Sequence, residues 1–112
     1  MSFVSYSFGQ ELSPEERAKI QTERMTKALL LSADQQEKVH AINLGVAQKN
    51  DVIRTNENFS EDQKKEYMKG NLDGKKASLK LILNEEQFKK YERMETERKY
   101  TISKSREIKT KL

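Results

Sequence analysis

Apolar residues recur along this chain at spacings of three, four and seven, the period of an α-helix with one buried face. From Ala33 to Arg54 they fall at Val39, Ile42, Val46 and Ile53, and from Glu61 to Ile82 at Met68, Leu72, Leu79 and Ile82. A helix over Pro14 to Leu30 is also predicted, with a mixed pattern. Ala18, Met25 and Leu29 share one stripe there, while Ile20 and Leu31 lie on another. A fourth run opens after Asn84 with Phe88 and Tyr91 and loses its stripe after Met94. Gly70 and Gly74 weaken the third helix by about 1 kcal/mol each relative to alanine. The period crosses both glycines unshifted, so one continuous helix is expected.

The polar positions between these runs are equally regular. Four phrases begin with an apolar residue, then a small polar one, and end on Glu or Gln. They are Leu12-Ser13-Pro14-Glu15-Glu16, Leu31-Ser32-Ala33-Asp34-Gln35, Phe59-Ser60-Glu61-Asp62-Gln63 and Leu83-Asn84-Glu85-Glu86-Gln87. Each has the form of a capping box. The Ser or Asn side chain accepts from a backbone N–H three residues on, and the Glu or Gln there reaches back to the cap's own N–H. Acids in the first turn oppose the positive end of the helix dipole, and Pro14 takes the first helical position, where its missing N–H costs nothing.

The connections differ. Thr55-Asn56-Glu57-Asn58-Phe59 has the composition and length of a turn. Leu30-Leu31-Ser32 and Ile82-Leu83-Asn84 contain neither glycine nor proline and are expected to be sharp bends in a nearly continuous rod. The fold expected is all-α: four helices forming a bent, elongated antiparallel helical hairpin rather than a closed bundle.

Composition supports a thin structure. The 112 residues suffice for one domain. Only 34% are hydrophobic and 36% are charged, poor material for a thick core. Burial of a seam against a second copy, in a homodimer, is therefore expected, because small domains often gain stability by oligomerising. Residues 12–100 form the helical domain on this reading, with residues 1–11 before it and a basic tail at 101–112.

The formal charge of +4 is unevenly placed. From Arg98 to Leu112 there are six basic residues and one acid, leaving 16 basic and 17 acidic residues in 1–97. The folded part is nearly neutral, and the end is read as frayed and solvated. Beyond Tyr100 the tail lacks aromatic residues for base stacking, so nucleic acid is not an expected partner. Cysteine is absent, and no stretch reads as a membrane span, so stable membrane insertion is not expected. Phe3-Val4-Ser5-Tyr6-Ser7-Phe8-Gly9-Gln10 has two readings. It is the remnant of a secretory signal, with Ser7 and Gly9 at −3 and −1 of a cut before Gln10, or an N-terminal tail.

Two of the four phrases resemble the paired LTxxQ signature of the Spy/CpxP family of periplasmic proteins. Leu31 and Leu83 match its Leu, Ser32 and Asn84 stand in for its Thr, and Gln35 and Gln87 match its Gln. Asn is at least as good an N-cap as Thr. The offset of 52 residues and the long helix after the first phrase are also similar, and the likeness spans roughly residues 12–100. The resemblance implies an exported, periplasmic, cradle-shaped antiparallel dimer, acting as an ATP-independent chaperone, an envelope-stress regulator or a metal-linked sensor. It makes Leu31, Ser32, Gln35, Leu83, Asn84 and Gln87 structural positions that shape the bends.

Enzymatic chemistry finds little footing. His40 is the one histidine and stands beside Val39 and Ile42, where a packed side chain is the ordinary outcome. Nucleophilic triads need a histidine base, and no second candidate exists. The acid pairs lie in first turns, where the helix dipole accounts for them. With no Cys and one His, neither zinc nor another cofactor is expected. The function expected is therefore non-enzymatic: chaperone-like binding of unfolded or partly folded proteins, which the resemblance places in the cell envelope during stress. The alternative is a regulatory or adaptor module docking on a membrane-bound sensor. Lys49, Arg54, Lys64, Lys65 and Lys69 gather near the turn between the second and third helices, as cations for acidic segments of clients.

Overall fold

A computed structural model describes residues 12–111. The N-terminal stretch read as signal remnant or tail lies outside the described residues. Four helices make up the fold: α1 (Pro14–Leu29), α2 (Ala33–Arg54), α3 (Glu61–Ile82) and α4 (Glu85–Lys111). No strand occurs among the described residues. The capping phrases start all four. Ser13, Ser32 and Ser60 accept from Glu16, Gln35 and Gln63 N–H at 3.1 Å, and each Glu or Gln returns the bond. Asn84 does the same with Gln87, at 2.8 and 3.0 Å. α3 runs unbroken through Gly70 and Gly74.

The helices pack in a ring: α1 on α2, α2 on α3, α3 on α4, and α4 back on α1. One expectation is corrected here. The connection at Leu30-Leu31-Ser32 is a reversal, not a bend in a rod, since Arg17 meets Asp51 and Thr22 meets Asn43 along antiparallel α1 and α2. Between α3 and α4 the chain bends at Leu83, and α4 places Tyr91 in the same buried cluster as Leu79 of α3 and Met25 of α1. Leu30 explains the reversal. It takes the left-handed conformation, φ 56° and ψ 55°, while Leu31 N–H donates to Thr26 C=O at 3.2 Å, the six-to-one bond of a Schellman-type helix end. Glycine normally marks such a position, which is why the sequence reads as a bend.

That makes Leu30 a place where the chain can be improved. A left-handed L-residue costs about 1–2 kcal/mol, and Leu30 is 83% exposed, so its side chain contributes little packing. Glycine returns about 0.5–1 kcal/mol of that through its freer unfolded chain. Leu30→Gly is expected to raise the melting temperature by a few degrees. A fall in a thermal melt would mean that Leu30 packs in a way the fold does not require.

The core sits where the two short connections meet. Met25, Leu29, Leu31, Val39, Leu79, Leu83 and Tyr91 form it, with Phe88 and Met94 packed against its edge. Leu83 and Phe88, placed as a hydrophobic staple at the start of α4, thus share one cluster. Of the α2 stripe only Val39 is fully buried; Ile42, Val46 and Ile53 are half-buried. The stripe is completed by Asn43, whose Nδ2 donates to Thr22 Oγ1 at 3.0 Å.

The helix continues past Met94 to Lys111, through the stretch read as a frayed tail. Lys, Arg and Glu are good helix formers, and pairs three residues apart, Arg98 with Glu95 and Lys104 with Glu107, support it on the surface.

Candidate functional site

The six motif residues come together at one end of the molecule. Leu31 and Leu83 are buried in the core, and four residues on from each, Gln35 and Gln87 face one another. Gln35 Nε2 donates to Gln87 Oε1 at 2.8 Å, and Gln87 Nε2 donates to Gln35 Oε1 at 3.2 Å. Each amide has a second use for both of its atoms. The oxygens accept from the N–H groups of Ser32 and Asn84, both at 3.0 Å. The nitrogens cross over: Gln87 donates to Leu29 C=O, at the end of α1, and Gln35 donates to Ile82 C=O, at the end of α3. The result is a clasp with approximate two-fold symmetry. It satisfies two helix starts and two helix ends, groups that otherwise lack partners. Another four residues on, Val39 and Tyr91 occupy equivalent buried positions.

The other end carries the exposed chemistry. The α2–α3 turn is held by short-range bonds: Asn58 N–H donates to Asn56 Oδ1 at 2.8 Å, and Thr55 Oγ1 donates to Asp51 C=O at 2.8 Å. Lys64, one of the five cations read from sequence, is half-buried and donates to Arg54 C=O at 2.8 Å, capping the end of α2. Arg54 lies 2.6 Å from Asp51, as does Arg17 of α1 on the same oxygen. The Arg17 hydrogen bond, with Arg54 adding to it, holds the Asp51 carboxyl below its ordinary range. Lys64 and Arg54 are therefore tied into the fold, whereas Lys49, Lys65 and Lys69 are exposed.

The sequence reading missed the exposed apolar residues near this turn. Val52 is 66% exposed and Tyr67 45% exposed, and Tyr67 packs its ring 4.9 Å from that of Phe59 at 60°. The signal was available in the chain, since Val52 lies off the α2 stripe and Tyr67 off the α3 stripe. His40 is half-buried and faces a groove with Glu23 and Glu37 between α1 and α2. Among the described residues, no group of three or more His, Cys, Asp or Glu is placed to hold a metal ion. None of the described helices is long and apolar enough to cross a membrane.

Neither curated proteins nor solved structures provide a match to this chain. Residues 7–91, which include both glutamines of the clasp and end at Tyr91, match the model of a domain of unknown function, DUF4890. That match spans about three quarters of the 112 residues, and the chain belongs to the DUF4890 family.

Proposed function

We propose that this protein is a non-enzymatic, ATP-independent, chaperone-like binder of unfolded or partly folded proteins, acting in the periplasm during envelope stress. The observation that carries the reading is the α2–α3 tip. Val52, Phe59 and Tyr67 offer apolar and aromatic surface close to the turn, and Lys49, Lys65 and Lys69 are exposed on the same two helices. Apolar surface supplies non-directional attraction to whatever a client exposes. The lysines draw in acidic segments and speed encounter. The likeness of the two clasp phrases to the LTxxQ signature of Spy/CpxP proteins supports the same reading. It also favours a cradle-like homodimer, in keeping with a core this small.

Purified protein is expected to suppress aggregation of a reduced or heat-stressed client at near-stoichiometric ratio. Replacing Lys49, Lys65 and Lys69 together with glutamate, all exposed, is expected to weaken suppression several-fold while leaving the melting temperature within a few degrees. Failure of the unaltered protein to suppress aggregation ends the proposal. Capture of one membrane-bound sensor in place of many clients would replace it with the adaptor reading.

A further inference from the structure

Away from the clasp the four helices part, and a cleft of about 430 Å³ opens between them, the size of site that takes a small organic molecule. All four helices line it. Ile20, Val46 and Leu72 give it apolar walls, and Lys75, Arg98 and Lys99 give it cations, against a single acid, Glu95, among the lining residues.

Lys75 is the unusual member. It is only 5% exposed, yet among the described residues no carboxylate lies within ion-pair reach of it, and its one hydrogen bond there is a long 3.4 Å contact to Gln21 Oε1. Glu95 acts on it only through space, and burial lowers its pKa. Asn43, 1% exposed and lining the same cleft, has an Oδ1 with no hydrogen-bond partner among the described residues. A buried charge is costly unless it is paired, and nothing in the core requires a lysine at this point. The neighbouring stripe positions of α3 hold Met68, Leu72, Leu79 and Ile82.

We infer that the cleft is a binding site for a small amphiphilic anion, an aliphatic carboxylate whose head group pairs with Lys75 and whose chain lies along Ile20, Val46 and Leu72. The size, the apolar walls, the excess of cations and the under-partnered ammonium all fit that one class of ligand. The cleft is lined by none of Lys49, Val52, Phe59, Lys65, Tyr67 and Lys69, so its test is independent of client binding.

Calorimetric titration of the full chain with dodecanoate, below its micelle threshold, tests the assignment. One dodecanoate per chain is expected to bind in the micromolar range. Dodecanol and dodecyltrimethylammonium, with the same chain and no anionic head, are expected to bind at least about tenfold more weakly. Lys75→Met keeps the stem and removes the charge. It is expected to lose at least about tenfold in dodecanoate affinity while melting no lower than the unaltered protein. Should that variant not fold, the comparison of acid, alcohol and ammonium on the unaltered chain decides alone. Absence of saturable binding, equal affinity for the alcohol, or unchanged affinity in folded Lys75→Met would overturn the inference. Displacement of dodecanoate by an equimolar acidic unfolded peptide would also overturn it, by assigning the cleft to polypeptide.

Discussion

Tyr91→Ala is expected to destabilise the protein by about 3–5 kcal/mol, the range for truncating a large buried aromatic residue. Tyr91 is 1% exposed and is the largest fully buried side chain in the structure. It joins Leu79 of α3 and Met25 of α1 to α4, so its loss opens a hole in the cluster that these three helices share. A domain of this size holds about 5–15 kcal/mol in all, and a small core places it low in that range. Tyr91→Ala should therefore be largely unfolded on mild heating. Tyr91→Phe should behave quite differently. The phenol oxygen is buried without a hydrogen-bond partner among the described residues, so removing it costs no bond there and relieves the burial of a polar group.

The pair also gives a sign for pH. Burial, with Glu95 adding to it, pushes the Tyr91 phenol well above its ordinary value of 10.0. The unfolded chain loses this proton near pH 10 while the folded one keeps it. The stability that Tyr91 contributes is fully present below pH 10 and falls as pH rises towards the folded value. Denaturant melts of unaltered protein and Tyr91→Phe are expected to run parallel below pH 10 and to diverge above it, with the phenylalanine variant losing less. Parallel curves throughout would mean that the phenol is not buried as described.

The second large effect is expected at the clasp. Gln87→Ala removes the N-cap return bond to Asn84 N–H, the bond to Leu29 C=O and both amide bonds with Gln35. At about 0.5–1.5 kcal/mol net for each bond, and with water replacing some of them at this half-buried site, a loss of about 2–3 kcal/mol is expected. Gln87→Glu separates the roles. A glutamate keeps the capping box, as Glu16 does in α1, but it donates nothing to Leu29 C=O and sets a carboxylate against it. It should cost about 1–2 kcal/mol, with most of the loss in the cross-helix bonds. Chemical denaturation of the three proteins reads these differences directly.

The local part of this arrangement was legible in the chain. Four phrases with Ser or Asn followed three residues later by Glu or Gln mark four helix starts, and the apolar period marks α2 and α3 to their ends. Capping is chemistry between residues three apart, so sequence carries it whole. The reversal after α1 was not legible, because Leu30 adopts a conformation whose usual marker is glycine. The clasp was legible only by halves. Gln35 and Gln87 each announce a cap, but their bond to one another is tertiary, spanning 52 residues. Lys75 shows the limit of periodicity from the other side. It occupies the stripe between Leu72 and Leu79, where an apolar residue is the rule, and a charged residue on a buried stripe is the trace that the cleft leaves in the sequence. At the tip, lysines were read as a cluster, but only the packed fold separates Lys64 and Arg54, spent on the end of α2, from the three that face outward.

A double-mutant cycle on Gln35 and Gln87 tests the central claim most directly, namely that one reciprocal amide pair locks both helix connections together. Unfolding free energies of the unaltered protein, Gln35→Ala, Gln87→Ala and the double variant are sufficient. A direct pair is expected to give a coupling energy of about 1 kcal/mol or more, the double variant losing less than the sum of the singles. Additive losses would contradict the clasp and leave two independent helix caps in its place.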